Sequence, residues 1–231
     1  MNISDITSIF DSLRKSRWLF WSEDDFKFAF ALELKAMFPK ANVRLEKRYS
    51  NAGNNCYTDI VAVMDRKSYP IELKYKTTEG IYADVSGEHI DLRTHSAVDL
   101  GCYSYLKDIE RLEFLANVDT SFERGFAIIL TNESLYYRNT GRTSVYNDFK
   151  IYEGRYVTGQ LNWGVSRYNG NIPSWAGSHP SITLNGLYKM EWKNYGGVLN
   201  PASGNYPSTQ FKYQVAVINK KLSSTQLLKS L

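Results

Sequence analysis

The polar and apolar positions of this chain change period several times, and each change marks an element. From Ser22 onward Phe26, Phe30 and Met37 recur at helical spacing, which predicts a helix running to about Phe38, where Pro39 ends it. Ser22 followed three residues later by Asp25 has the form of a capping box, and acidic residues fill the first turn. Glu23 and Glu33 fall on the same stripe as the aromatic residues. Val43 to Tyr49 then alternates as a strand does, and Ser50 to Asn55 reads as a loop. Tyr57 to Lys76 follows as two β-branched-rich apolar runs around Asp65-Arg66-Lys67-Ser68, the pattern of a β-hairpin.

Thr77 to Val98 is polar and aperiodic, which predicts a long irregular loop that is substrate-facing or mobile. Asp99 to Ala116 carries Tyr105, Ile109, Leu112 and Leu115 or Ala116 on one helical stripe. Gly125 to Thr131 is apolar on both faces, as a central strand is. Beyond Asn132 the chain turns aromatic and glycine-containing. Tyr146 to Val157, Ile182 to Tyr195 and Gln210 to Ile218 are its best strands, with turn-rich pieces at Tyr168 to Pro180 and Gly196 to Pro207. Leu222 to Leu231 is a short amphipathic end. No composition shift marks a linker, so the expectation is one domain over residues 1–231, with a core at about 22–131 and a β-rich elaboration at about 132–221.

Composition narrows the function classes. A chain of 231 residues with 43% hydrophobic content can bury a substantial core. No apolar run of spanning length occurs, and Met1 to Phe10 is acidic and polar, so a cytoplasmic protein without a membrane partner is expected. Cys56 and Cys102 have no partners at zinc-ligand spacing, and His89, His95 and His179 are scattered. The net charge of +4 is compatible with a polyanionic substrate. No sequence marker decides between a monomer and a homo-oligomer.

The chemistry lies in the hairpin. Glu72 and Lys74, two apart in a strand, point the same way. A turn centred between Arg66 and Lys67 sets Asp59 opposite Lys74, and a centre one residue earlier sets Asp59 opposite Glu72. In both registers two carboxylates and an ammonium share one face. That set meets the needs of a hydrolytic magnesium site, because magnesium takes one or two protein carboxylates and completes its shell with water and phosphate oxygens. Phosphodiester hydrolysis is the matching reaction, with Lys74 orienting the water or stabilising developing charge.

Asp59 on one strand and Ile71-Glu72-Leu73-Lys74 on the next resemble the PD-(D/E)XK nuclease superfamily, including bacterial and phage members of uncharacterised function. Its core order of helix, three strands, helix and strand matches the order read from Ser22 to Thr131. Thr58 stands where the motif has proline. The resemblance implies an α/β, restriction-endonuclease-like core with a β-rich C-terminal extension, and a metal-dependent nuclease acting on DNA. Asp59 and Glu72 would hold Mg or Mn, and Lys74 would be the active-site lysine. The superfamily's extra helical glutamate would be Glu23 or Glu33. These lie about 15 Å apart along the helix, so at most one reaches the ion, and Glu33 is preferred because capping accounts for Glu23.

The alternative is a catalytically silent nucleic-acid-binding or interaction module on the same fold. Lys107, Asp108, Arg111 and Glu113 read as ion pairs on an exposed helix face, and His89 and His95 as solvated loop residues. Trp163, Trp175, Trp192, Tyr188 and Tyr195 would pack a second β layer or stack on bases. Arg138, Arg142, Arg155, Arg167, Lys189 and Lys193 are available for phosphates.

Overall fold

The computed structural model describes residues 1–49, 57–95, 97–166 and 169–220. The expected loop Ser50 to Asn55, Cys56, Arg167 and the end piece Leu222 to Leu231 lie outside the described residues. The fold is mixed α/β. Its main sheet has six strands in the order β1 (Asn42–Arg48), β2 (Tyr57–Met64), β3 (Lys67–Lys76), β6 (Arg124–Thr131), β11 (Thr209–Asn219) and β9 (Trp192–Leu199). β3 and β6 run parallel, joined through α3 (Val98–Val118), and the other neighbours are antiparallel. No described helix is long and apolar enough to cross a membrane.

The β2–β3 hairpin closes on a two-residue loop, Asp65-Arg66, with φ of 49° and 63°. Two successive left-handed residues define the turn whose twist matches that of the flanking strands, and aspartate tolerates the first position. The tight loop pairs Met64 with Lys67 and Ile60 with Ile71. This places Asp59 level with Glu72. Of the two registers open from the sequence, the hairpin takes the one centred between Asp65 and Arg66, in which Asp59 faces Glu72.

Helix α2 (Glu23–Met37) starts where expected: the Ser22 hydroxyl caps it by accepting from the Asp25 amide at 3.1 Å. An unforeseen helix, α1 (Ile3–Ser16), precedes it. Its capping box is reciprocal, Asn2 accepting from the Ser4 and Asp5 amides while the Asp5 carboxylate accepts from the Asn2 amide at 2.7 Å. Ile6, Ile9, Phe10 and Leu13 then turn one face inward. Together α1 and α2 cover one side of the sheet, packing on Ile60, Ala62, Ile71, Leu73, Tyr75, Phe126, Ile128 and Leu130. Phe10 anchors this core, stacked on Tyr213 at a centroid distance of 3.9 Å. Each such ring stabilises the fold by about 1.5–3 kcal/mol on burial.

The opposite side is covered by α3 together with the hairpin of β7 (Tyr156–Leu161) and β8 (Ile182–Lys189), over Ala127, Ile129, Ala216 and Ile218. Buried Glu113 ties α3 to β8, accepting from the amides of Asn185 at 2.8 Å and Gly186 at 2.6 Å and from the Tyr188 hydroxyl at 2.8 Å.

Three further expectations need correcting. The stretch Thr77 to Val98, expected to be irregular, contains β4 (Gly80–Ala83) and β5 (His89–Leu92), which pair with each other and with β10 (Pro201–Ser203). Both strands alternate in burial over their four residues, with Tyr82, Ile90 and Leu92 turned inward. Tyr146 to Val157 is mostly turns around a 3-10 segment, Asn147–Phe149, and Ile182 to Tyr195 breaks at Met190 and Glu191 into strands of two different sheets. A four-residue helix, α4 (Ser134–Tyr137), follows β6.

Candidate active site where β2 and β3 part

The recorded pairing of β2 with β3 ends at Ile60 and Ile71, although β3 continues to Lys76. By the antiparallel register the Leu73 amide would next reach the Thr58 carbonyl. It donates instead to Asp59 Oδ2 at 2.8 Å. Two residues on, the Tyr75 amide donates to Glu23 Oε2 at 2.9 Å. Two backbone donors that would otherwise be orphaned are thus taken by carboxylates, which fixes both acids at the point where the strands separate.

Glu23, not Glu33, is the helical carboxylate at this point. Capping does not occupy Glu23, because the Ser22 hydroxyl caps the helix and Asp25 takes the Trp21 amide. Its side chain is free to cross to β3, where Lys76 Nζ lies 3.9 Å away. Glu33 sits about 15 Å further along α2. It is half-buried and makes no hydrogen bond or ion pair among the described residues. The preference for Glu33 is therefore corrected.

Glu72 and Lys74 face α3, and α3 answers with residues that the sequence reading placed on an exposed face. Lys74 Nζ lies 2.9 Å from Asp108 Oδ2, and Arg111 Nε lies 2.9 Å from Glu72 Oε1. Arg111 also pairs with Asp108. Glu72 is 2% exposed and Asp108 3% exposed, so this is a buried network. A signal for Asp108 existed: with Tyr105, Ile109 and Leu112 it completes the spacing of a single inward stripe.

On the outer side, Lys27 pairs with Asp24 at 3.0 Å, with Glu46, and with Asp59 Oδ1 at 3.4 Å. Glu46 lies between the Leu45–Ile60 and Lys47–Thr58 pairs, level with Asp59, and its φ of 50° is left-handed. Backbone strain of this kind costs on the order of 1–3 kcal/mol and marks a place where the surroundings over-determine the chain.

Burial sets the proton affinities. It pushes the Glu72 carboxyl well above its ordinary range, with the Asp108 charge adding and Arg111 opposing. Burial raises Asp108 too, against the pull of Lys74 and Arg111. For Lys74 burial acts downward, but Asp108 and Glu23 outweigh it and hold the ammonium firmly charged. His95 lies at the exit of β3, where the Thr77 amide donates to its Nδ1 at 3.2 Å. Burial and Lys76 lower its proton affinity, which favours the neutral ring. His89 is exposed on β5, and His179 packs against Tyr103 and Trp163 in the second core.

A divalent cation fits the donors by chemistry. Glu72 and Asp108 are buried acids, each with a cation at 2.9 Å, Arg111 on Glu72 and Lys74 on Asp108. An ion held at Glu72 would take over the charge balance that Arg111 supplies there. Among the described residues no group of three His, Cys, Asp or Glu side chains is arranged to chelate an ion. An ion held by Asp59 and Glu72 would therefore draw its remaining ligands from water and substrate, as magnesium commonly does. No family model matches this chain, and no curated protein or solved structure is similar to it.

Proposed function

We propose that this protein is a metal-dependent nuclease that hydrolyses phosphodiester bonds, most readily in DNA, on a restriction-endonuclease-like core formed by α2, β1 to β3, α3 and β6. The observation that carries the reading is the meeting of Asp59, Glu72 and Lys74 on one face where β2 and β3 part, with Glu23 beside them on the next free amide. Asp59 and Glu72 would hold Mg or Mn. The bound ion would polarise the scissile phosphate and lower the pKa of a coordinated water.

The rest falls to the chain's own groups. The Leu73 amide orients the Asp59 carboxylate, and Asp108 fixes the Lys74 ammonium at 2.9 Å. Lys74, charged and partly buried, would orient the attacking water or stabilise charge gathering on the phosphate oxygens. Glu23, held by the Tyr75 amide, supplies a further carboxylate toward that water. The test is a panel of labelled DNA and RNA structures incubated with Mg or Mn. The native protein should cut at least one of them, and Lys74→Ala should lower the rate by about 10²-fold or more without unfolding. Equal rates in the two proteins would remove Lys74 from the mechanism.

One observation favours a second reading, a catalytically silent nucleic-acid-binding module. Arg111 already stands against Glu72 and Lys27 against Asp59, so the carboxylates have internal counter-ions. That reading expects no heat on calorimetric titration with Mn, and binding of nucleic acid without turnover.

A further inference from the structure

The segment from Arg138 to Tyr156 lies beyond the catalytic residues in the chain but begins at the same end of the sheet. β3 and β6 are parallel, Lys76 pairs with Thr131, and α4 follows directly. The segment folds into a polar groove of about 670 Å³, lined among others by Arg142, Lys150, Tyr152, Arg155 and Tyr156. A second cavity of about 360 Å³ shares Arg142, Thr143 and Lys150 with it and is walled by Leu135, Val145, Tyr146 and Val165.

The cations of this groove, Arg142, Lys150 and Arg155, form no ion pair among the described residues. The two acids of the segment are engaged by backbone: Asp148 Oδ2 accepts from the Asn162 amide at 3.0 Å, and Glu153 Oε2 from the Trp192 amide at 2.8 Å. Arg155 is braced in place, donating to the carbonyls of Asn147 at 2.5 Å and Asp148 at 3.0 Å. Lys150 reaches the Arg142 carbonyl. Burial, with the charge of Arg155 adding to it, lowers the proton affinity of Lys150. Tyrosines alternate with the cations: Lys150 lies 5.7 Å from the Tyr146 ring centre, Arg155 lies 5.6 Å from that of Tyr152, and Tyr156 is 58% exposed.

We infer that this groove binds unpaired nucleic acid, with backbone phosphates along Arg142, Lys150 and Arg155 and a base in the adjoining apolar cavity. A nucleotide joins an anionic phosphate to a flat, largely apolar base, and the shared rim of the two cavities offers both environments side by side. A membrane surface would call for a protruding apolar face instead of a concave polar one. The assignment rests on the proposed function for its ligand class, but it does not require cleavage.

The test uses the full chain and a fluorescein-labelled single-stranded DNA of about 20 nucleotides in EDTA, read by anisotropy across a salt series. Arg142→Glu alters an exposed side chain with no described partner. It should weaken binding by about tenfold at low salt and reduce the logarithmic salt slope by about 1 or more. Tyr156→Ser should weaken binding by about five- to tenfold. Lys40→Glu, the same charge change outside the groove, should leave affinity within about twofold of native. Native affinity in both groove variants would overturn the inference, as would binding to phosphatidylserine vesicles as tight as to the oligonucleotide. Binding that follows these variants in a protein that never cuts would remove the nuclease and leave the groove. Cleavage with groove variants that bind as native would do the reverse.

Discussion

The two faces of the main sheet solve opposite problems. Between the sheet and α1 and α2 the interior is mostly apolar and aromatic, with Phe10, Phe20, Phe26, Phe30, Tyr75 and Tyr195 linked by ring contacts. Toward α3 the same strands bury Glu72 and Lys74 against Asp108 and Arg111. Well-packed apolar residues of like volume would serve stability as well or better than such a network, because desolvation offsets most of its Coulomb gain. The first face supplies the free energy of folding. The second spends part of it to hold charges in fixed positions, and that division separates scaffold from site.

The largest expected effect falls on the apolar face. Phe30→Ala should destabilise the protein by about 3–5 kcal/mol in denaturant titration while leaving turnover per folded molecule unchanged. A proportionate loss of turnover in the folded fraction would blur the two faces. Next comes the network, where Asp108→Ala leaves Lys74 buried without its nearest counter-ion. A loss of up to about 3–5 kcal/mol is expected. Asp108→Leu, which cannot form the pair but fills the space, separates lost charge from lost volume when compared with it.

A smaller effect concerns pH. Glu72 and Asp108 bind protons more tightly when folded than when unfolded. Between the ordinary carboxylate range and their raised values the folded state therefore carries the extra protons, and stability falls as pH rises through that window. In chelator, the melting temperature of the native protein should drop as pH rises above the ordinary carboxylate range, and Glu72→Gln should flatten that slope. A steeper slope in the variant would contradict the assignment of Glu72 as a buried, proton-holding carboxyl. Smallest is the contrast on α2. Glu33→Gln should change stability by less than about 0.5 kcal/mol and leave cleavage alone, whereas Glu23→Gln should reduce cleavage.

How far the sequence disclosed these two faces differs between them. Hydrophobic period found α2, the hairpin, α3 and β6 to within a residue or two, because long elements with one apolar face carry their signal locally. The same signal is present in α1, where Asn2 and Asp5 precede inward-facing Ile6, Ile9, Phe10 and Leu13, but the acidic and polar character of Met1 to Phe10 masked its period. β4 and β5 were missed, since an alternation of only four residues inside a polar stretch is a weak signal.

At the site, the shared face of Asp59, Glu72 and Lys74 followed from alternation alone. Their register did not, because it hangs on the two-residue turn at Asp65 and Arg66. The choice of Glu23 over Glu33 depends on where β2 leaves β3, a tertiary event with no local signature. Asp108 and Arg111 were misplaced for a related reason. Charges three residues apart on a helix look solvated until something shows which face meets the sheet.

The account stands or falls on whether the charged face does chemistry. The most direct measurement is cleavage of the labelled DNA panel in Mg by native protein and by Glu72→Gln, with the melting temperature of each recorded in the same buffer. The account predicts metal-dependent cutting by the native protein, lost by about 10²-fold or more in a variant that melts at the same or a higher temperature. Undiminished cutting by Glu72→Gln, or no cutting of any substrate by a native protein that is folded and binds DNA, would contradict it.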